Sequence, residues 1–264
     1  MADIDTVKEV LPEELEPEAK PREIPKKTFD RESWNPKTSI GKKVKSGEIK
    51  DISQILDGGH KIMETEIVDI LVPDLEADLM FIGQAKGKFG GGQRRVFRQT
   101  QKKTAEGNKP NFATCIVVGN HNGLVGFGNG KSKETVPARE KALRNSKLNI
   151  MKIRRGCGSW QCSCREHHSI PFTVEGKCGS VKIKLIPAPK GTGLKIQSDC
   201  QKILNFAGIK DVWSMSIGQT RTTINLIGAI ENALKKLVTT KVKSSAYESL
   251  GIVDGAAKKE SGAN

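Results

Sequence analysis

The stretch that decides the fold reads FATCIVVGNHNGLVGFGNGKSKETVPAREKALRNSKLN and covers residues 112–149. Residues 113–118 are rich in β-forming side chains, and a second short strand is predicted over 124–127. Between them lies Asn122-Gly123, a dipeptide that suits a type I′ turn because both positions accept positive φ. The stretch therefore predicts an antiparallel hairpin.

A glycine-rich segment and a helix follow this hairpin. Residues 128–132 read GNGKS, and over about 134–149 apolar residues recur on one side of a predicted helix whose other side is basic. A glycine-rich turn here would leave backbone N–H groups free at the helix start, where the helix dipole favours an anion. Because Lys131 and Lys133 add positive charge, the sequence predicts a phosphate-binding corner.

Spacing excludes two nucleotide-binding motifs at this corner. A P-loop has four residues between its first glycine and Gly-Lys-Ser, whereas Gly126 comes one residue too late. A dinucleotide fingerprint needs G-x-G-x-x-G, whereas Gly126, Gly128 and Gly130 give G-x-G-x-G after a hairpin. On this stretch alone, the alternative is that the glycines only shape the hairpin and the helix entrance.

The chain is strongly basic. Its 264 residues carry 44 Lys and Arg against 30 Asp and Glu, which gives a formal net charge of +14. Such a balance favours a polyanionic partner, either nucleic acid or an anionic membrane surface. No apolar run approaches the roughly 18 residues of a membrane span, and the acidic N-terminus lacks a signal-peptide core. We therefore expect a cytoplasmic, nucleic-acid-binding protein with reduced cysteines and no membrane partner.

Shifts in composition divide the chain into segments. Residues 1–48 are predicted to form a disordered N-terminal extension that is first acidic and then basic, and residues 49–92 a helical and loop extension. A first α/β domain is predicted over 93–155 and a second α/β domain over 156–243. A flexible tail is predicted over 244–264.

The first domain is predicted as three antiparallel strands under one helix. Its first strand is expected over 94–98, and the polar residues 99–110 are expected to form a basic loop outside the core. Double-stranded-RNA-binding modules share this layout and read RNA shape through phosphate and 2′-OH contacts. A generic α/β sandwich would explain the layout but not where the charge falls.

Four motifs together carry a resemblance to a known family. They are GNHNGLVGFGNGKSKETVPA over 119–138, KCGSVKIKLIPAPKGTGL over 177–194, AGIKDVW over 207–213 and GQTRTTIN over 218–225. On these motifs the chain resembles the small-ribosomal-subunit protein S-five family. The resemblance implies an α+β fold with disordered termini, in which a double-stranded-RNA-binding-like α/β domain precedes a second small α/β domain with a left-handed βαβ crossover.

The same resemblance implies the function. Proteins of this family are structural constituents of the small ribosomal subunit that bind its rRNA beside proteins S-three and S-four, line the mRNA entry region and support translational accuracy. Residues 101–108 match the family loop that reaches toward the head–body junction, and the PAPKGTG loop matches the region facing S-four. The long N-terminal region and the cysteine-bearing insert resemble archaeal members. The residues expected to contact RNA are Arg94, Arg95, Arg98, Lys102, Lys103, Asn120, Asn122, Lys131, Lys133, Arg154, Arg155, Lys190 and Arg221.

A cysteine cluster opens the second domain. Cys157, Cys162 and Cys164 are followed by His167 and His168, enough soft ligands for a closed zinc site, to which we assign His168 as the fourth ligand. The spacing is irregular, so the alternative is a loop of reduced cysteines ordered by RNA contact. No cofactor other than this possible structural zinc is expected.

The same sequence allows two other classes of function, an enzyme and a free-standing RNA-binding module. A Cys164–His168 catalytic pair would need an orienting acid and an oxyanion hole, and the sequence around it suggests neither, so no enzyme is expected. The remaining alternative is a free-standing double-stranded-RNA-binding module whose second domain is stapled by zinc.

Overall fold

The computed structural model describes residues 34–85, 87, 94–162 and 164–256. Its helices are α1 Ser39–Ser46, α2 Ile52–Asp57, α3 Thr65–Leu71, α4 Thr135–Leu148, α5 Ser198–Phe206, α6 Thr223–Thr239 and α7 Ser244–Ser249. Its strands are β1 Glu76–Leu79, β2 Arg98–Thr104, β3 Gly107–Gly119, β4 Leu124–Ser132, β5 Ile150–Lys152, β6 Arg154–Arg155, β7 Val174–Cys178, β8 Val181–Pro187, β9 Leu194–Lys195, β10 Val212–Ile217 and β11 Val253–Asp254.

Strand β3 is the longest strand and organises the first sheet. β4 pairs with one edge of β3, from Phe112 opposite Ser132 to Gly119 opposite Val125, and β5 follows β4. On the other edge, β1 pairs with the inner half of β3 and β2 with its outer half. The mixed helix and sheet content confirms the predicted fold class.

The outer half of β3 corrects one prediction. The strand expected over 94–98 begins only at Arg98, and the loop expected over 99–110 is a β-hairpin formed by β2 and the start of β3. Gly107, at φ 112°, lies at its tip. Almost all of the hairpin is exposed on both faces, so no apolar alternation marks its strands in the sequence.

Three glycines allow α4 to lie directly on β4. A Cβ at Gly126 would stand 2.3 Å from the Ser146 carbonyl oxygen, and one at Gly130 would stand 2.0 Å from the Ala138 carbonyl oxygen. At Gly128, between them, it would meet the backbone of α4 at 2.2 Å. The expected glycine-rich turn and its phosphate corner are therefore wrong, because GNGKS belongs to the strand and its alternate glycines face the helix.

The hairpin between β3 and β4 was predicted correctly, but its turn was not. The connection covers residues 120–123, and positive φ angles occur at His121 (56°) and Gly123 (84°) rather than at Asn122-Gly123. The Asn120 Oδ1 atom accepts hydrogen bonds from the backbone N–H groups of Asn122 (2.9 Å) and Leu124 (3.1 Å). A side-chain acceptor thus shapes this longer turn.

The first sheet separates two hydrophobic cores. One face carries Ile116 and Val118 and packs with α4 and the N-terminal helices, where Val44 and Val68 are buried. The expectation of disorder over 1–48 is therefore wrong for residues 34–48. The acidic start of the predicted N-terminal extension and residues 88–92 of the predicted helical and loop extension lie outside the described residues.

The other face of the first sheet packs against the second domain. Val117 and Phe127 share a core with residues of α5 and α6, such as Leu204 and Ile230. The second sheet has the order β7-β8-β10-β9, in which β9 and β10 are parallel and joined through α5. The alternation expected in β8 is observed, since its odd-numbered residues are buried.

The described part of the C-terminal segment, residues 244–256, has regular structure. It contains α7, and β11 pairs antiparallel with β6 at Val253–Arg155 and Asp254–Arg154. This corrects the flexible tail expected over 244–264 for the described residues 244–256. No helix in the described part of the chain is long and apolar enough to cross a membrane.

Replacing Gly130 with Val should destabilise the first domain. The new side chain would collide with the backbone of α4, which cannot move aside, so we expect the free energy of unfolding to fall by about 3 kcal/mol. Urea denaturation followed by circular dichroism measures this change. Gly87→Ala, where an added Cβ meets nothing within 4 Å, is the matched control. Equal stability of the two variants would contradict the close packing of α4 on β4.

Candidate nucleic-acid interface and metal cluster

The β2–β3 hairpin concentrates positive charge away from the core. Lys102 and Lys109 are direct cross-strand partners, and Lys103 is also exposed. Like charges placed opposite each other destabilise a strand pair. Within the hairpin, only the ion pair of Lys109 with Glu106 (2.8 Å) offsets this repulsion, so the arrangement suits an external polyanion.

The exposed members of the predicted RNA-contact set are spread over both domains. They are Arg95, Arg98, Lys102, Lys103, Lys131, Lys133, Lys190 and Arg221. Lys131 is the second-last residue of β4, and Lys133 lies between β4 and α4. Lys190 forms an exposed ion pair with Glu166 (2.7 Å), which lowers the pKa of that carboxyl group. All these side chains are accessible to phosphate groups.

Arg154 is a structural residue. It is 7% exposed, and its guanidinium group forms an ion pair with Asp254 (2.6 Å) and donates to the Thr240 carbonyl oxygen (2.8 Å). The hydrogen bond with Asp254 raises the pKa of Arg154. Arg154 therefore holds the C-terminal segment against α6 and is not available for RNA.

Arg155 is likewise buried, at 2% exposure. Its Nη2 atom donates to the Asn122 Oδ1 atom (2.7 Å) and to the Gly255 carbonyl oxygen (3.1 Å). Burial lowers the pKa of Arg155 to about 10. The side chain thus joins the β3–β4 turn to the C-terminal segment, instead of facing solvent as the sequence suggested.

Arg94 and the two asparagines also bond within the protein. Arg94 donates to the Arg221 carbonyl oxygen (3.0 Å) and to the Thr223 hydroxyl at the start of α6. Asn120 shapes the turn described above, and Asn122 accepts from Arg155. We assign all three a structural role because each side chain forms a hydrogen bond to another part of the protein.

The cysteine insert brings four possible ligands together. One ligand atom from each of Cys157, Cys162, Cys164 and His168 lies within 4.8 Å of the others. The His168 Nε2 atom lies 3.9 Å from the Cys162 sulfur, whereas His167 is exposed and outside the cluster. This Cys₃His arrangement can hold a metal ion.

A carboxylate that sequence reasoning missed orients His168. Its Nδ1 atom lies 2.8 Å from the Asp211 Oδ2 atom, and both side chains are buried. The Asp211 Oδ1 atom accepts from the Gly193 backbone N–H group (2.8 Å). A carboxylate on the far nitrogen is the usual partner of a metal-binding histidine, because it leaves Nε2 free for the metal. In the sequence this carboxylate is the Asp of the AGIKDVW motif, which lies 43 residues beyond His168.

The thiols of the chain differ in environment. The backbone N–H of Lys190 is the main influence that lowers the pKa of Cys162 to about 6, whereas burial raises that of Cys157 to about 12. Burial also raises the pKa of Cys115 and Cys200 to about 12, as expected for inert core thiols. Cys115 and Cys200 are thus core thiols, whereas Cys157 and Cys162 differ in pKa although they lie in the same cluster.

Comparison with known proteins agrees with this architecture. Models of the ribosomal protein S5 N-terminal domain and C-terminal domain match residues 96–154 and 176–246. The small ribosomal subunit protein uS5 of Methanosphaera stadtmanae is 48% identical over 86% of this chain and 93% of its own. The uS5 proteins of Nanoarchaeum equitans and Methanobrevibacter smithii are each 46% identical over 85% of this chain and over 96% and 99% of theirs.

The paired domains and the basic surface define a ribosomal protein that acts structurally and not as an enzyme. The chain belongs to the small ribosomal subunit protein uS5 family. This confirms the predicted family and its archaeal type, together with the predicted structural role in the small subunit.

Arg154→Gln should destabilise the protein, whereas Arg98→Gln should not. Arg154 is buried, and its loss leaves Asp254 without its cation, which we expect to cost about 3 kcal/mol. Arg98 is exposed, so its removal should change stability by less than about 0.5 kcal/mol. Thermal unfolding of the two variants checks this. A stable Arg154→Gln protein with weakened RNA binding would restore Arg154 to the RNA-contact set.

Proposed function

We propose that the chain binds small-subunit rRNA chiefly through the exposed hairpin and the other exposed basic residues. The observation that supports this most directly is the opposed pair of Lys102 and Lys109, which no apolar packing stabilises. Lysine is suited to phosphate contact, and such contacts fix position without reading base sequence. The proposed recognition is therefore of RNA shape.

We propose that, in the assembled subunit, the chain lies beside proteins S-three and S-four at the mRNA entry region. There it would support decoding accuracy. Membership of the uS5 family and the motif carried by the Lys190 loop support this placement. A hairpin that extends beyond its own domain can reach a neighbouring part of a particle, which supports the proposed approach of residues 101–108 to the head–body junction.

Replacing Lys102 and Lys103 with Gln should weaken rRNA binding evenly across sequences. Each lost phosphate contact should make the slope of log binding constant against log salt less steep by about 0.9. Filter binding of the full chain to an rRNA fragment at several salt concentrations measures the slope. Lys235→Gln on α6, where Lys235 pairs with Glu231, is the control and should keep the original slope. A changed sequence preference would contradict shape recognition.

Sedimentation of a native lysate tests the ribosomal placement itself. We expect the protein to travel with the small subunit and to remain there at high salt, because many phosphate contacts act together. If it stays at the top of the gradient and binds a generic duplex tightly and saturably, the free-standing RNA-binding module becomes the better description.

We propose that the Cys₃His cluster holds a structural zinc ion. Thiolate and imidazole ligands favour zinc over the hard cations Mg²⁺ and Ca²⁺. Four protein ligands complete a tetrahedron and leave no open position for substrate, so the metal would stabilise the fold instead of catalysing a reaction. Bound there, zinc would join the cysteine insert to Asp211 and the loop before β9.

Elemental analysis of the purified protein should find one zinc ion per chain, lost in Cys164→Ser. Cys178→Ser, a half-buried cysteine outside the cluster, is the matched control and should keep the metal. Asp211→Asn should weaken zinc affinity about 10- to 100-fold, because the histidine loses its orienting carboxylate. A metal-free wild-type protein that unfolds at the same temperature with and without added zinc would refute the site.

A further inference from the structure

We propose that Trp160 and Arg165 form a stacking site for an unpaired nucleobase of the bound RNA. This inference rests on the proposed RNA-binding function of the chain and not on the identity of the metal. It assigns a ligand to the surface of the cysteine insert, next to the metal cluster.

Trp160 is the first observation. It is 86% exposed, the highest value among the exposed large hydrophobic side chains of the described residues, whereas Trp34 is 9% exposed. Leaving an indole in water forgoes the gain from burying its apolar surface. Stacking a nucleobase on the indole recovers that gain, and it tolerates any base because every base has a π-face.

The cleft beside Trp160 is the second observation. It has a volume of about 460 Å³ and is lined by Trp160 and Arg165 together with Cys157, Ser159 and Leu250. Arg165 is exposed, and no hydrogen bond or ion pair within the described residues engages its side chain. An aromatic face and a free guanidinium group at one cleft can bind a base and its phosphate together.

Backbone contacts fix the main chain at Trp160 and at Arg165. Trp160 lies in a turn closed by the Cys162 N–H and the Ser159 carbonyl oxygen (3.3 Å), and Cys157 N–H donates to Leu250 (2.8 Å). Arg165 adopts φ 54°, and its carbonyl oxygen lies so close to Gly251 that a Cβ there would stand at 1.8 Å. A main chain that is fixed at these two residues before binding loses little conformational entropy there when the ligand binds.

The charges around the cleft favour RNA over a protein partner. Lys190 neutralises Glu166, the acidic neighbour of Arg165 in sequence, so the positive charge of Arg165 is left unopposed. Protein-binding hot spots are clustered aromatic residues in a desolvated patch. Trp160 is instead the one aromatic residue among the described residues that line the cleft, as a single stacking contact requires.

Chemical probing of rRNA bases in purified small subunits tests the site. Trp160→Leu should expose at least one unpaired base that the wild-type and Trp160→Phe proteins protect, because Phe keeps a stacking face and Leu does not. Arg165→Gln should increase reactivity at the same nucleotide. Zinc content and subunit incorporation, which should not change, control for the folding of the variants.

Ultraviolet cross-linking gives an independent readout. We expect a nucleotide adduct on Trp160 within the tryptic peptide 156–165, GCGSWQCSCR. Unchanged base reactivity in Trp160→Leu, or a cross-link from this peptide to a protein, overturns the proposed stacking site. In either case, RNA adducts on the β2–β3 hairpin would still support the proposed RNA-binding function. If no peptide of the chain carries an RNA adduct, the proposed RNA-binding function itself fails.

Discussion

The contact between α4 and β4 is the constraint on which the structure depends. Backbone meets backbone there because Gly126, Gly128 and Gly130 place no side chain between strand and helix. Bulkier residues would lift the helix off the sheet and open a gap that the small side chains Ala138 and Ala142 could not fill. Close approach of α4 thus fixes one face of the sheet and leaves the other face available to the second domain.

The parts of the fold with a buried face could be predicted from the sequence. In β8 alternate residues are buried, so its periodicity marked the strand, whereas the buried side of α4 consists of the small residues Ala138, Ala142 and Ser146. The β2–β3 hairpin buries neither face over most of its length, and its strand-forming threonines and glutamines looked like loop. The glycines of β4 were wrongly predicted to form a turn. Glycine is typical of turns, but it is also required where a helix packs directly on a strand.

The candidate site was predictable where its partners are neighbours in sequence. The four candidate ligands of the Cys₃His cluster lie within 12 residues, from Cys157 to His168, so their residue types could be recognised together although their spacing is irregular. Arg154 looked like a surface cation because its partner Asp254 lies 100 residues away. Long-range pairs of this kind leave no local pattern, so charge alone could not separate structural arginines from those that face solvent.

The buried arginines and the metal cluster lie at one junction. Arg155 joins the β3–β4 turn to the C-terminal segment, and two residues later Cys157 begins the insert, whose histidine is held by Asp211 of the second domain. A single polar contact across such a junction could break at little cost, because the net free energy of a hydrogen bond is about 1 kcal/mol. Breaking the contacts of a buried guanidinium group or of a buried carboxylate–imidazole pair costs more, because a polar group is then left without a partner and away from water. The cysteine insert is therefore held at both of its ends by buried polar contacts, at Arg155 and at His168, and its surface takes its geometry from them.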